Sequence, residues 1–204
     1  MQHGAGTKQQ AIALQAPFMT GGTVYIRGLD REDLPAMVPW INDDDVVHLL
    51  FTGDRPANAE RLADQWERGR DSTEEIAFAA CCRQTGQFIG TTGLYRVHWV
   101  MRSAEFRVFL GDKTYWNKGI GTELTKMMVV YGFERLNMNR IWLGVNADNI
   151  GGVRAYEKAG FMREGVLRQE QYRNFRYYDV IRMGLLRTEY DRMRDGYLQR
   201  EREA

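Results

Sequence analysis

The chain has 204 residues, 44% of them hydrophobic and 12% aromatic, which suits one globular domain with a sizeable buried core. Its 28 Lys and Arg nearly cancel its 27 Asp and Glu, so the formal charge of +1 gives no reason to expect nucleic acid or an anionic membrane as partner. No apolar run reaches the length of a membrane span, and no signal-peptide pattern opens the chain.

Residues 1–21, rich in Gly, Gln and Ala, read as a loose, flexible leader. Order is expected from Thr23 to Arg27, a β-branched and aromatic strand. Asp30 then caps a helical stretch with Leu34, Met37, Val38 and Ile41 on one side, and Asn58 caps a second helix with Leu62 and Trp66 four apart. Between these helices, Asn42 to Pro56 reads as a loop carrying Asp43, Asp44, Asp45 and Phe51. The runs Glu75 to Arg83 and Gln87 to Val97 flank Gln84-Thr85-Gly86 and predict a hairpin. Cys81 and Cys82 lie in the first of these runs. Neighbouring strand residues point to opposite faces, so the pair reads as core thiols of a reduced, cytoplasmic protein and not as a disulfide.

Residues 103–110 alternate, with Ala104, Phe106, Val108 and Leu110 on one face and Glu105, Arg107 and Phe109 on the other. A helix is expected from Gly119 to Leu136, with Ile120, Leu124, Met127, Met128 and Tyr131 at helical spacing. Arg140 to Asn146 is a further strand, and Asn149 to Ala159 a short helix with Gly160 at its C-terminal end. Strands at 161–167 and 176–186 close the domain as a hairpin, giving a domain over 22–187 and a helical tail over 188–204 with Tyr190, Met193 and Tyr197 in register. The exposed hairpin and tail could form the contact of a homodimer, or fold back on their own domain. Arg163, Arg168, Arg173 and Arg176 read as solvated faces. One α/β (α+β) domain follows, without repeat or linker.

Trp116-Asn117-Lys118-Gly119-Ile120-Gly121-Thr122 joins a strand to a helix start. The first turn of a helix leaves N–H groups unpaired and its dipole favours an anion, while glycines let the backbone approach phosphate oxygens closely. A tight packing turn explains the same glycines equally well. The spacing is not that of a P-loop, and Leu124 stands where a dinucleotide fingerprint needs its third glycine.

Taken with Asn149 and the later Tyr156-Glu157-Lys158-Ala159-Gly160-Phe161, the stretch Tyr115 to Glu123 resembles the GNAT acetyltransferase superfamily. It looks closest to the branch containing ribosomal-protein N-terminal alanine and spermidine acetyltransferases, which Arg173-Asn174-Phe175-Arg176-Tyr177-Tyr178-Asp179-Val180 also resembles. The resemblance runs from about Thr23 to Leu186. It departs at Trp116, where the superfamily usually has Gln or Arg; that removes one side-chain donor and leaves more of the anion contact to backbone amides.

The resemblance implies a GNAT-like fold, with a mixed, mostly antiparallel central sheet whose central strands splay between flanking helices. It implies acetyl-CoA as co-substrate, no metal, and an N-acetyltransferase that moves the acetyl group to a primary amine by direct attack on the thioester. Phe109 and Leu110 would hold the acetyl and pantetheine part through backbone groups. Trp116, Asn117, Lys118, Gly119, Ile120, Gly121 and Thr122 would bind the pyrophosphate, and Asn146 and Asn149 would sit near the pantetheine arm. Tyr156 would protonate the leaving thiolate; the alternative is that its ring packs with Val153.

An alkyl ammonium costs about 4.6 kcal/mol to present as free amine near pH 7, a peptide α-amine only about 1 kcal/mol. Glu105 is the candidate base for the former, and an ion pair with Arg102 or Arg107 is its other reading. The acceptor pocket is expected from the 42–58 loop, the two early helices and the closing hairpin. Asp43, Asp44 and Asp45 favour a polycation if they are not a capping cluster. A protein N-terminus, a polyamine and an amino sugar all stay open as acceptors, as does a non-catalytic acyl-CoA sensor. Trp40, Phe51 and Trp99 are candidate pocket walls, while His48 and His98 have no metal-ligand spacing.

Overall fold

A computed structural model describes residues 16–202, with side chains placed through residue 197. Eight strands form one sheet in the order β1-β2-β3-β4-β5-β6-β8-β7. They are β1 (Met19–Thr20), β2 (Val24–Gly28), β3 (Ile76–Cys82), β4 (Phe88–His98), β5 (Ser103–Leu110), β6 (Arg140–Asn146), β7 (Met162–Arg173) and β8 (Arg176–Leu186). Every pairing is antiparallel except β5 with β6. The sheet is therefore mixed and mostly antiparallel, as the resemblance implied. β1 lies inside the stretch expected as leader; residues 1–15 of that stretch lie outside the described residues.

Helices α1 (Leu34–Ile41), α2 (Asp44–Val47) and α3 (Ala59–Arg70) come before β3. Arg27, 5% exposed, clamps the entry to α1 with two bonds to the Asp33 carboxylate at 2.7 Å, a bidentate geometry that leaves neither charge unpaired. Asn58 caps α3 through Arg61 N–H, as its position predicts. Trp40 of α1 packs on Phe88 and Phe109, so this helix covers the Phe109 face of β5.

The opposite face carries the main core. Ala104, Phe106, Leu124, Met128, Leu143 and Val153 meet there beneath α4 (Ile120–Val130) and α5 (Ile150–Lys158). The helix expected to reach Leu136 instead widens after Val130 into a π-turn, Tyr131–Arg135, where Leu136 N–H reaches back to Tyr131 O. Gly160 ends α5 at φ +84°, the left-handed cap that its position predicted. The tail forms α6 (Arg187–Arg202), which folds back on its own domain: Tyr190 is fully buried and stacks on Phe133 at 4.8 Å. Cys81 and Cys82 are buried free thiols on opposite faces. Among the described residues no helix is long and apolar enough to cross a membrane.

Candidate active site

The sheet opens at its centre. β5 and β6 pair only where Ser103, Ala104 and Glu105 meet Arg140, Ile141 and Trp142. Beyond that point β5 stays bonded to β4 as far as Leu110, and β6 to β8 as far as Asn146. The facing edges of Phe106–Leu110 and Leu143–Asn146 therefore diverge, and their inward N–H and C=O groups border a wedge that an extended amide chain can fill.

The turn at 116–122 stands at the mouth of this wedge. Asn117 and Gly119 adopt left-handed φ of +59° and +80°, and Gly119 is the N-cap of α4 with no side chain capping the helix. A Cβ on Gly119 would meet nothing within 4 Å, and one on Gly121 only Leu110 Cδ1 at 3.9 Å. The first amides of α4 thus face open space in an anion-binding arrangement, which fits a pyrophosphate. Ile120 is buried, so only its backbone is available there. Lys118 is exposed, with its Nζ 5.7 Å from the Tyr115 ring centre. Trp116 donates its indole N–H to Leu110 O at 2.9 Å. That bond ties the turn to the end of β5 and occupies a carbonyl otherwise open to the wedge.

Two cavities meet in the wedge. A groove of about 270 Å³ runs from Trp116, Gly119 and Thr122 to Tyr156. A chamber of about 510 Å³ lies beyond, walled by Met37 and Ile41 of α1, by Leu49 to Thr52, and by Glu105, Arg107 and Arg182. Leu49, Leu50, Val108, Asn149 and Tyr156 line both. The Tyr156 ring is held edge-on by Phe106 at 6.0 Å and Phe161 at 6.3 Å, and burial pushes its phenol up to about 12. Asn149 caps α5 through Gly152 N–H at 2.9 Å while facing both cavities. A third hollow, about 930 Å³, opens on the other side of Gly119 against Lys126, Lys158 and Tyr197.

Glu105 faces the chamber in an ion pair: Arg107 Nη2 is 2.7 Å and Arg96 Nε 3.5 Å from its Oε2. The ion-pair reading is thus present, with Arg96 where Arg102 was the alternative. Asn146 is fully buried; it donates to Gln171 Oε1 at 2.7 Å and accepts from Asp148 N–H at 2.9 Å. Its amide supports the strand end and lines neither the groove nor the chamber.

The loop, α1 and the closing hairpin do wall the chamber, whereas α3 contributes no residue to it. The short helix α2 inside the loop was not foreseen. Asp43 accepts Asp45 N–H and pairs with Lys113 at 2.7 Å, which holds its carboxyl below the usual range; Lys113 also reaches Asp45 at 3.2 Å. Asp44 accepts from Asn174 at 2.8 Å. The acidic cluster is therefore a capping and ion-paired one. Arg173 is not a solvated face: only 11% exposed, it donates to Thr52 O and Gly53 O. Phe51 lines the chamber, Trp40 packs on the sheet, and Trp99 donates to Thr73 O away from it. His48 Nδ1 sits against the Asp44 and Asp45 carbonyls, and His98 Nδ1 accepts Met101 N–H. No group of three candidate metal ligands occurs among the described residues.

Arg96, Arg182 and Gln171 were not singled out from sequence: Arg96 is turned to the site by the break in the β4 ladder, and Arg182 and Gln171 reach it only once β6, β7 and β8 are paired.

The sequence matches the family described as acetyltransferase (GNAT) domain over residues 23–162. It is 31% identical over 168 residues to spermidine N(1)-acetyltransferase of Escherichia coli (strain K12), covering 82% of this chain and 88% of that one. A putative ribosomal N-acetyltransferase of Bacillus subtilis, YdaF, is 26% identical over 174 residues, covering 82% and 93%. Among solved structures, spermidine N-acetyltransferase from Vibrio cholerae in complex with CoA and spermine superposes with a TM-score of 0.76 at 29% identity, covering 82% of this chain and 98% of that one.

Proposed function

The chain belongs to the acetyltransferase (GNAT) domain family, and on that premise we propose that acetyl-CoA lies in the β5–β6 wedge while a primary amine enters through the chamber beyond Tyr156. The observation that carries this reading is the meeting of groove and chamber at Tyr156 and Asn149. The two sides can be filled at once, and they touch at a phenol.

Acetyl-CoA supplies an activated acetyl thioester; transfer forms a C–N bond, breaks the C–S bond and leaves a thiolate. The first amides of α4 hold the pyrophosphate, and Lys126 and Lys158 in the adjoining hollow face the nucleotide end. The wedge edges from Phe106 to Phe109 pair with the pantetheine amides. Tyr156 donates its proton to the departing sulfur. Its raised value keeps the phenol neutral, hence proton-bearing, through the neutral and mildly alkaline range in which amines become free. Glu105, expected as base, is read here as the residue that fixes Arg96 and Arg107, and the amine's proton leaves through the open chamber to water.

Thiol release with acetyl-CoA and a panel of amines tests the assignment. Tyr156→Phe should lower kcat by about 10²-fold or more, with acetyl-CoA affinity changed less than about threefold. Unchanged turnover removes Tyr156 as the acid, and acetyl-CoA binding without thiol release from any amine supports the sensor reading instead.

We further read the exposed Val166, Leu167, Tyr172, Phe175 and Tyr177 of the β7–β8 hairpin as a contact between two copies of the chain. Light scattering should show Phe175→Glu shifting the assembly toward monomer; a wild-type monomer at micromolar concentration excludes it. The buried free thiols fit a reducing compartment such as the cytoplasm.

A further inference from the structure

The acceptor chamber has an unusual charge pattern for a site that would take a polycation. Its charged lining consists of Arg96, Arg107 and Arg182 against Glu105 and Glu170. Both carboxylates already have partners: Glu105 is shared by Arg96 and Arg107, and Glu170 lies 3.8 Å from Arg182. The acidic loop outside is taken up as well, by Lys113, Asn174 and Arg173. Among the described residues, a polyamine would meet no unengaged carboxylate here and a surplus guanidinium.

The placement of Arg96 is itself a constructed feature. Alternation along β4 puts Leu94 in the main core and Tyr95 opposite Glu105, so Arg96 would follow Leu94 toward the core face. The ladder instead breaks between Tyr95 and His98, and Arg96 takes a left-handed φ of +49°. That bulge re-aims the guanidinium to the Glu105 face, at a backbone cost an arginine pays only where the surroundings hold it. The Arg107 Cζ stands over the Tyr95 ring, 4.7 Å from its centre, and the Arg182 Cζ over the Trp142 ring at 4.6 Å, so each guanidinium is seated against an aromatic face. The two sides of the chamber thus present guanidiniums toward a space of about 510 Å³.

We propose that the amine acetylated by this protein carries a carboxylate or phosphate group, held in the chamber by Arg96, Arg107 and Arg182 while the amine points to Tyr156. The proposal rests on the transfer reading above and adds the class of acceptor. The anion sits on the excess guanidinium charge, forms paired N–H···O bonds, and fixes the amine's direction without the need of an acidic pocket.

Thiol release should be measured with matched acceptors that differ in the anion: an α-amino acid against its methyl ester, glucosamine 6-phosphate against glucosamine, and spermine. The ester's amine is the less basic of its pair, so a loss on esterification cannot arise from protonation. At least one anionic member should have a KM about tenfold or more below that of its uncharged partner and a higher kcat/KM than spermine. Which pair responds distinguishes carboxylate from phosphate. Arg96→Gln, at a side chain 68% exposed whose loss should not unfold the protein, should erase most of that difference, and Arg96→Lys should restore part of it. Equal KM within both pairs, or spermine as the best acceptor, overturns the proposal and leaves the transferase standing. Acetyl-CoA binding with no thiol release from any amine of the panel removes the transferase reading, and the proposal with it.

Discussion

At the scale of single residues, Tyr156 shows how burial prepares a proton donor. A phenol ordinarily titrates near about 10, and burial among Phe106 and Phe161 moves this one to about 12 by disfavouring the phenolate. The sign follows directly: a raised value keeps the proton on as pH rises, so the acid form persists while amines become free. The kcat profile should rise with the acceptor's ionisation and show no falling limb between about pH 8 and about pH 11. A falling limb centred near about pH 9 to 10 in steady-state thiol release would show that another group donates. Tyr156 was named through the family resemblance carried by Asn149 and the motif from Tyr156 to Phe161, and the fold puts it where groove and chamber meet. Arg96 could not be read from the sequence, because strand alternation points it into the core and only the bulge after Tyr95 turns it outward.

At the scale of elements, the β7–β8 hairpin and the segment before Gly53 behave as one unit. Gln171, 7% exposed, accepts from Asn146 and donates to Leu50 O at 2.6 Å, linking the end of β6 to a wall shared by both cavities. Gln171→Ala would leave the Asn146 amide buried without that partner. Urea unfolding should show a loss of about 1–3 kcal/mol, and the KM for the amine should rise more than that for acetyl-CoA, because Leu50 loses its tether. A variant with unchanged stability would show that water replaces the bond. Strands β5 and β6 were legible to the residue, since period-two alternation between turn signals is a local property. The extension of β7 to Arg173 and the helix α2 were not. Both are shaped by contacts more than a hundred residues apart, such as Arg173 with Thr52.

At the scale of the whole molecule, one sheet opens between two helical layers and makes a passage with two mouths. The α4 face brings the helix N-terminus to one mouth, while α1, the 49–52 segment and the closing hairpin surround the other. Membership of the acetyltransferase family was legible from the turn and the α5 motif together, whereas the charge of the acceptor chamber arises only when β4, β5, β7 and β8 are assembled. Such a passage admits both substrates at once and needs no covalent carrier on the protein. Initial rates of thiol release at several fixed amine concentrations, with acetyl-CoA varied, test this most directly. Double-reciprocal lines that intersect are the predicted result, since transfer then occurs within a ternary complex. Parallel lines, with thiol released in a burst before any amine is added, would reveal an acetylated enzyme intermediate and contradict direct transfer across the wedge.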